Sequence, residues 1–228
     1  MKYKERIVKG VFISRPNRFI ANVEIDGKTE VAHVKNTGRC RELLVSGATV
    51  YLTVAENPER KTKFDLVAVE KATQGGIILI NMDSQAVNNI AEEYLRKIFP
   101  RADIRREVTY KSSRFDFYLE ENGKGAFCEV KGVTLEKDGV ASFPDAPTER
   151  GVKHLRELTE AKNEGYDAYV LFVVQMENVS YLTPNDITHK EFGDTLRLSK
   201  ASGVEIMAVS CIVEPSSVLP HKEVKIRL

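Results

Sequence analysis

The sequence contains no tryptophan, only three cysteines and only four histidines among its 228 residues. The cysteines, Cys40, Cys128 and Cys211, are far apart and odd in number. They indicate neither a disulfide framework nor a zinc site, and they are typical of a reducing cytosol, so we expect a cytoplasmic protein. The isolated histidines argue against a histidine-based metal cluster. Without tryptophan to stack on sugar rings, a carbohydrate-binding protein has little support.

Long hydrophobic runs are also missing. The longest two, Gly76–Ile80 and Ala168–Val174, are far too short to span a bilayer. The first ten residues carry charges with no apolar run after them, so no signal peptide is visible. We therefore expect no association with a membrane.

Neither sign of charge is in large excess, because the formal net charge is +1. The distribution of charge is uneven, however. Residues 1–82 contain 14 Lys and Arg against 9 Asp and Glu, whereas residues 83–228 contain 20 against 24. This asymmetry favours contact with phosphate backbones by the first part and binding of cations by the second.

Residues 1–82 are patterned as short strands separated by turn signals such as Asp26-Gly27. The predicted strands are Ile7–Ser14, Phe19–Ile25, Thr29–Val34, Thr49–Val54, Phe64–Val69 and Gly76–Ile80. So many short strands in one segment predict a small all-β barrel, and the OB-fold is the commonest nucleic-acid-binding type. We expect an OB-like domain over residues 1–82.

The pattern changes near Met82–Ser84, where apolar residues begin to recur at helical spacing as far as Pro100. Further helices are predicted over Thr148–Glu164 and Asp186–Ala201, and buried strands over Ala168–Gln175 and Val204–Val213. This order predicts a C-terminal α/β domain with a mixed central sheet over residues 83–228.

Asn122-Gly123 predicts a two-residue hairpin turn that pairs Glu121 with Lys124. Continued outward, this register predicts one apolar face made by the pairs Leu119–Ala126, Phe117–Cys128 and Phe115–Val130. The other face then carries the pairs Tyr118–Phe127, Asp116–Glu129 and Arg114–Lys131.

This register places two carboxylates opposite each other, with Cβ atoms roughly 5 Å apart. Facing like charges reduce stability unless a cation lies between them, and Mg²⁺ is commonly held by one or two carboxylates. Lys131, two residues after Glu129, is placed to activate a water or to stabilise charge on a phosphate. The alternative is a surface hairpin whose charged face is solvated.

The segment from Asp116 to Lys131 resembles the PD-(D/E)xK nuclease motif. In it Asp116 is followed, after twelve intervening residues, by Glu129-Val130-Lys131. The predicted helix, strand pair, helix and strand around them match the core of that fold. In that fold an acid on the first helix often completes the metal site, and Glu93 is our candidate. Its alternative is a solvated residue on an amphipathic helix.

Nearly the whole chain resembles the sugar fermentation stimulation protein A family. The matching stretches are residues 15–19, 33–44, 113–117, 129–135, 143–151, 153–155 and 172–175. The resemblance implies an OB-like domain, a PD-(D/E)xK-like domain and DNA binding, and members are usually described as regulators of sugar metabolism genes. It also implies that the Val130 carbonyl is a metal ligand beside Asp116 and Glu129, with Mg²⁺ or Mn²⁺ as the ion. We predict a DNA-binding regulator with a nuclease-like metal site, and the alternative is an active Mg²⁺-dependent nuclease; the oligomeric state stays open.

Two groups of basic residues are candidate DNA contacts. The first lies in or beside barrel turns, interleaved with Phe19 and His33: Arg15, Arg18, Lys35, Arg39 and Arg41. The second, Arg150 and Lys153, lies at the start of a helix that Thr148 is expected to cap. The alternative for both groups is solvation, and Arg18 has a further alternative in pairing with Glu24 or Glu30.

Overall fold

The computed structural model describes residues 1–36, 38–57 and 59–228; Thr37, within the matched stretch 33–44, and Pro58 lie outside the described residues. The N-terminal part contains β1 (Ile7–Asn17), β2 (Ile20–Ile25), β3 (Lys28–Val34), β4 (Thr49–Val54), β5 (Phe64–Thr73) and β6 (Gly76–Asn81). Each strand pairs with the next in the order β3-β2-β1-β4-β5-β6, and a parallel pairing of β3 with β5 closes the sheet. This closed five-stranded barrel is the predicted OB fold, and its interior holds alternate apolar residues such as Val23, Val34 and Leu52.

The C-terminal part begins with α1 (Val87–Ile98), β7 (Asp103–Tyr110), β8 (Ser113–Glu121) and β9 (Lys124–Val133). It continues with β10 (Leu135–Lys137), β11 (Val140–Phe143), α2 (Glu149–Asn163), β12 (Asp167–Val174), β13 (Tyr181–Pro184), α3 (Asp186–Ala201), β14 (Glu205–Glu214) and β15 (Ser217–Glu223). The main sheet has the order β15-β14-β12-β9-β8-β7, parallel at β9–β12–β14 and antiparallel elsewhere. The predicted mixed sheet is confirmed.

Helices cover both faces of the main sheet, so the hairpin is not a solvated surface feature. α1 packs on one face over Phe117 and Leu171, and α2 packs on the other with Leu155 buried against the sheet. Each face carries its own apolar cluster. Among the described residues, no helix is long and apolar enough to cross a membrane.

The prediction that Phe115 shares a face with Phe117 is wrong. Phe115 packs on the α2 side, 5.4 Å from Phe127 between ring centroids, whereas Phe117 lies in the cluster under α1. The distortion lies at Asp116. Its neighbour across the β7–β8 ladder, Glu107, has a left-handed φ of 55°, which interrupts regular alternation at that point.

The barrel and the C-terminal domain are joined by specific contacts. Lys71 of β5 pairs with the buried Glu136 of β10 at 2.6 Å. The Arg39 N–H donates to Asp145 Oδ2 at 2.9 Å across the same boundary. These contacts place the basic turns of the barrel beside the residues that follow β9.

Candidate metal centre and basic surface

The predicted hairpin register is confirmed from the turn as far as Phe117. Asn122 and Gly123 have φ values of 54° and 77°, as a type I′ turn requires. The ladder runs from the pair Glu121–Lys124 to the pair Phe117–Cys128. It ends there, so the predicted pairs Phe115–Val130, Asp116–Glu129 and Arg114–Lys131 are wrong: the strands diverge at Asp116, and its carboxylate lies against the Val130 N–H instead.

The Asp116 carboxylate lies where the two strands diverge. Its Oδ2 accepts from the Val130 N–H at 2.8 Å, and its Oδ1 accepts from Asn88 Nδ2 of α1 at 2.8 Å. Because the N–H and C=O of one strand residue point to the same side, the Val130 carbonyl is also directed toward the β8 edge. Burial and the nearby charge of Glu129 raise the pKa of the Asp116 carboxyl.

Glu129 is 3% exposed, and its two oxygens differ. Oε1 contacts Lys131 Nζ at 2.5 Å and His154 Nδ1 at 2.5 Å, whereas Oε2 is buried without a hydrogen-bond partner in the described residues. Burial opposes ionisation of Glu129, but hydrogen bonding to His154 and the charge of Lys131 outweigh it and hold its pKa below the usual value.

A buried carboxylate oxygen without a partner is costly unless something positive approaches it. This oxygen belongs to Glu129, and the charge of Glu129 contributes to the raised pKa of the second carboxylate, Asp116. Two carboxylates and a strand carbonyl make an all-oxygen set, which suits Mg²⁺, Mn²⁺ or Ca²⁺. The residues present therefore fit a divalent cation held by Asp116, Glu129 and Val130.

The structure does not bring Glu93 to this site. Its carboxylate lies 3.0 Å from the amino group of Met1 and is half exposed. The α1 residue at the site is Asn88, five residues earlier, which is about 140° away around the helix. The hydrophobic pattern located α1 but did not indicate which of its polar residues faces β8.

His154 is a site residue that the sequence reasoning missed. It is 4% exposed on the inner face of α2. Arg150 Nε donates to His154 Nε2 at 3.3 Å, and an arginine cannot accept, so the proton of a neutral His154 is on Nδ1, facing Glu129. The helical spacing of apolar residues could have located it, because position 154 falls among the buried residues of α2.

Two of the five barrel residues predicted to contact DNA, Arg15 and Lys35, are held by several internal partners each. Arg15 donates to four backbone carbonyls, those of Arg18, Asn36, Gly38 and Arg39, at 2.7 to 3.0 Å. Lys35 lies 3.3 Å from Asp65 and 3.5 Å from Asp83, with its side chain 17% exposed. Both residues stabilise the barrel turns, so we correct their predicted role from DNA contact to structural support.

The other basic residues of the barrel are exposed. Arg18, Arg39 and Arg41 line a hollow of about 410 Å³. The Arg18 guanidinium lies 4.8 Å from the centroid of the Phe19 ring, and no ion pair joins it to Glu24 or Glu30 among the described residues. These three arginines stay predicted DNA contacts.

The start of α2 carries the second basic group. Thr148 caps the helix as predicted, because its Oγ1 accepts from the Gly151 N–H at 3.0 Å. Arg150 and Lys153 are exposed and line a hollow of about 420 Å³ together with Arg114. That hollow reaches His154, so it adjoins the candidate metal centre.

A second group of possible ligands, Glu149, His189 and Glu191, has ligand atoms within 4.8 Å of one another. His189 Nδ1 accepts from the Thr148 N–H at 3.2 Å, so its Nε2 carries the proton and faces Glu149. A protonated nitrogen is not a metal ligand. This group is therefore a polar cluster, in which His189 Nε2 faces Glu149, rather than a second metal centre.

Comparisons with known proteins agree over the whole chain. The family model described as "Sugar fermentation stimulation protein RE domain" matches residues 85–217, and the one described as "SfsA N-terminal OB domain" matches residues 13–80. A sugar fermentation stimulation protein homolog of Clostridium beijerinckii is 57% identical, with 96% of each chain covered. One from Ruminiclostridium cellulolyticum is 51% identical, with 100% of each chain covered.

A solved structure is similar throughout. It is described as Pyrococcus furiosus SfsA in complex with Ca²⁺, and it matches with a TM-score of 0.86, 26% identity and 100% coverage of each chain. With two family models, curated relatives and a solved structure in agreement, this chain belongs to the sugar fermentation stimulation protein family.

Proposed function

We propose that this protein binds DNA and hydrolyses its phosphodiester bonds at a divalent-metal site formed by Asp116, Glu129 and the Val130 carbonyl. The observation that carries the proposal is the buried, unpartnered Oε2 of Glu129 beside a second carboxylate. The description of the P. furiosus relative as a Ca²⁺ complex supports it, because Ca²⁺ and Mg²⁺ both prefer oxygen ligands.

Each residue of the centre has a separate role. His154 orients Glu129 through Oε1, which leaves Oε2 for the cation. Asn88 and the Val130 N–H fix the Asp116 carboxylate. The Lys131 ammonium lies beside Glu129, and in this position it orients the attacking water or stabilises charge on the phosphate.

A bound Mg²⁺ or Mn²⁺ supplies a Lewis acid for the phosphate and lowers the pKa of water. Hydrolysis adds water across the phosphodiester: an oxygen–phosphorus bond forms, the bond to the leaving sugar oxygen breaks, and that oxygen takes up a proton. Exposed arginines on the barrel and Arg150 with Lys153 on α2 are the proposed phosphate contacts. Binding then weakens steeply as salt increases.

The direct test is nicking of supercoiled plasmid by the purified chain, with Mg²⁺, with Mn²⁺ and with chelator. Wild type nicks only with metal, and Glu129→Gln and Lys131→Ala do not nick. Glu93→Gln is the matched control, because Glu93 is an acid of the same domain that lies away from the centre. Loss of nicking in the control, or nicking by Glu129→Gln, contradicts the proposal.

One observation favours a second function, a cytoplasmic DNA-binding regulator of sugar metabolism genes without turnover. Lys131 and His154 both contact the same oxygen of Glu129, an arrangement that neutralises this carboxylate. In the regulator, plasmid stays intact under every metal condition, while gel shifts of DNA are unchanged by Lys131→Ala. The same plasmid assay therefore distinguishes the two functions.

A further inference from the structure

The barrel and the C-terminal domain enclose a cleft of about 340 Å³. Asn36, Gly38 and Arg18 form its barrel side, and the residues after Lys131 on β9, beginning with Gly132, form the opposite side. Its volume is within the range of about 300–1,000 Å³ that is usual for sites of small organic groups. The cleft therefore has room for a group of nucleotide size, and its lining includes Gly132, the residue that follows Lys131 in the sequence.

The cleft adjoins the hollow lined by Arg18, Arg39 and Arg41. The two share Arg18 and Gly38 as lining residues. Phe19, next to Arg18, is 44% exposed, although phenylalanine is usually buried, and the Arg18 guanidinium lies over its ring. Arg18, Arg39 and Arg41 thus line one path that extends to Gly132, and the exposed Phe19 ring lies beside Arg18.

The described residues on the barrel side of this path are held by hydrogen bonds and lie close to the C-terminal domain. Arg15 ties the turn around Gly38 together through four carbonyls. A Cβ atom added to Gly38 would lie 2.3 Å from Asp145 Oδ2, so the turn is in tight contact with the opposite domain. The contact between Gly38 and Asp145 brings the barrel and the C-terminal domain together at the cleft.

We propose that this path binds a single strand of DNA, whose unpaired bases stack on Phe19 and enter the cleft beside Gly132. Bases in a duplex are paired and stacked, so they enter a cleft of about 340 Å³ only after being flipped out. A duplex therefore contacts the rim alone. A cationic groove combined with an aromatic platform is the usual arrangement for single strands. This inference rests on the proposed DNA binding and names the form of DNA that the site selects.

The test is fluorescence anisotropy with two labelled probes at one salt concentration, in chelator so that no cleavage occurs. One probe is an oligothymidylate of about 12 nucleotides, within the roughly 4–16 nucleotides that an OB fold covers. The other is a hairpin duplex of the same phosphate count. Since one stacked base changes affinity roughly fivefold to a hundredfold, wild type binds the oligothymidylate at least about fivefold more tightly than the duplex.

Phe19→Leu keeps an apolar side chain but removes the ring, and it weakens binding of the single strand roughly fivefold or more, while duplex binding is unchanged. Phe19→Tyr keeps the ring and retains wild-type affinity. Ile77→Ala, at an exposed apolar residue on the β5–β6 hairpin, is the control and changes neither affinity.

Equal or tighter binding of the duplex by wild type overturns the inference and leaves the proposed DNA binding intact. Equal affinities of Phe19→Leu and Phe19→Tyr for the oligothymidylate also overturn it. Failure of both probes to bind contradicts the proposed DNA binding as well.

Discussion

His154 Nδ1 lies 2.5 Å from Glu129 Oε1, inside the sheet–helix interface, and both side chains are almost fully buried. Arg150 contacts the other ring nitrogen and so directs the proton of a neutral His154 toward Glu129. The histidine is therefore the donor that keeps a buried carboxylate in one orientation. Arg150 and His154, one turn apart on α2, thus help to set the direction in which Oε2 of Glu129 on β9 points.

Removing this donor leaves Glu129 with Lys131 alone. We expect His154→Leu to lower the free energy of unfolding by about 1.5–3 kcal/mol, the usual contribution of a hydrogen bond to a charged group. Urea unfolding measures the change. In a double-mutant cycle with Glu129→Gln, the cost of His154→Leu becomes smaller, because the charge that needed the donor is gone. Additive effects in this cycle would show that the two side chains are not coupled.

Asp65 gives the chain a pH-dependent contribution outside the metal centre. Burial alone would raise the pKa of its carboxyl, but hydrogen bonding to Arg60 and the charge of Lys35 hold it below the ordinary value of 3.8. A lowered folded-state pKa means that the stabilisation is present above the unfolded-state pKa and is lost as pH falls through the folded-state pKa. Asp65→Asn should therefore destabilise the protein at neutral pH by about 1.5–3 kcal/mol.

Urea unfolding at a series of pH values checks this prediction. The difference between wild type and Asp65→Asn should shrink as pH falls below 3.8. A difference that is constant with pH would mean that the carboxylate charge does not contribute.

Substitutions of Arg15 and Arg41 should change different properties: the first lowers the free energy of unfolding, and the second lowers the affinity for DNA. Arg15 is bound to four carbonyls, so Arg15→Gln lowers the free energy of unfolding by about 1.5–3 kcal/mol. Arg15→Lys does not restore it, because one ammonium cannot reproduce the planar fork of a guanidinium. Arg41 is exposed, so Arg41→Gln changes stability by less than about 0.5 kcal/mol and weakens DNA binding. Urea unfolding and anisotropy on the same preparations measure both effects, and the reverse assignment would contradict the structure.

Gly132 controls the contact between β9 and α1. A Cβ atom added there would lie 2.9 Å from Val87 Cγ2 and 3.3 Å from Gln175 Nε2. Gly132→Ala therefore pushes Val87 and the start of α1 away from the sheet, at a cost of about 1–3 kcal/mol. Val87→Ala makes room, so the double variant should be more stable than the sum of the single effects implies. Thermal unfolding of the four proteins tests this, and strict additivity would argue against the contact.

Local patterns predicted the parts of the site that depend on local chemistry. Asn122-Gly123 fixes its own turn, and the turn fixes the neighbouring pairs, so the register was predictable as far as Phe117–Cys128. The OB barrel was predictable because each of its hairpins has a turn signal and an alternating strand.

The remaining features depend on packing between distant segments. Nothing near Glu93 in the sequence shows that Asn88, rather than Glu93, faces β8. Most partners of Arg15 and Lys35 come from other segments, among them Asp83 outside the barrel, so DNA contact was the natural but incorrect prediction. The face of Phe115 depends on the distortion opposite Glu107, and a left-handed glutamate has no signature in sequence.

The central claim is that Asp116 and Glu129 bind a divalent cation, and isothermal titration calorimetry with Mn²⁺ tests it without requiring turnover. We expect wild type and the matched control Glu93→Gln to bind with the same affinity, and Glu129→Gln and Asp116→Asn to bind at least about tenfold more weakly, since even indirect supports of a metal site contribute that much. Equal Mn²⁺ affinity in wild type and Glu129→Gln, or loss of binding in Glu93→Gln, would contradict the account.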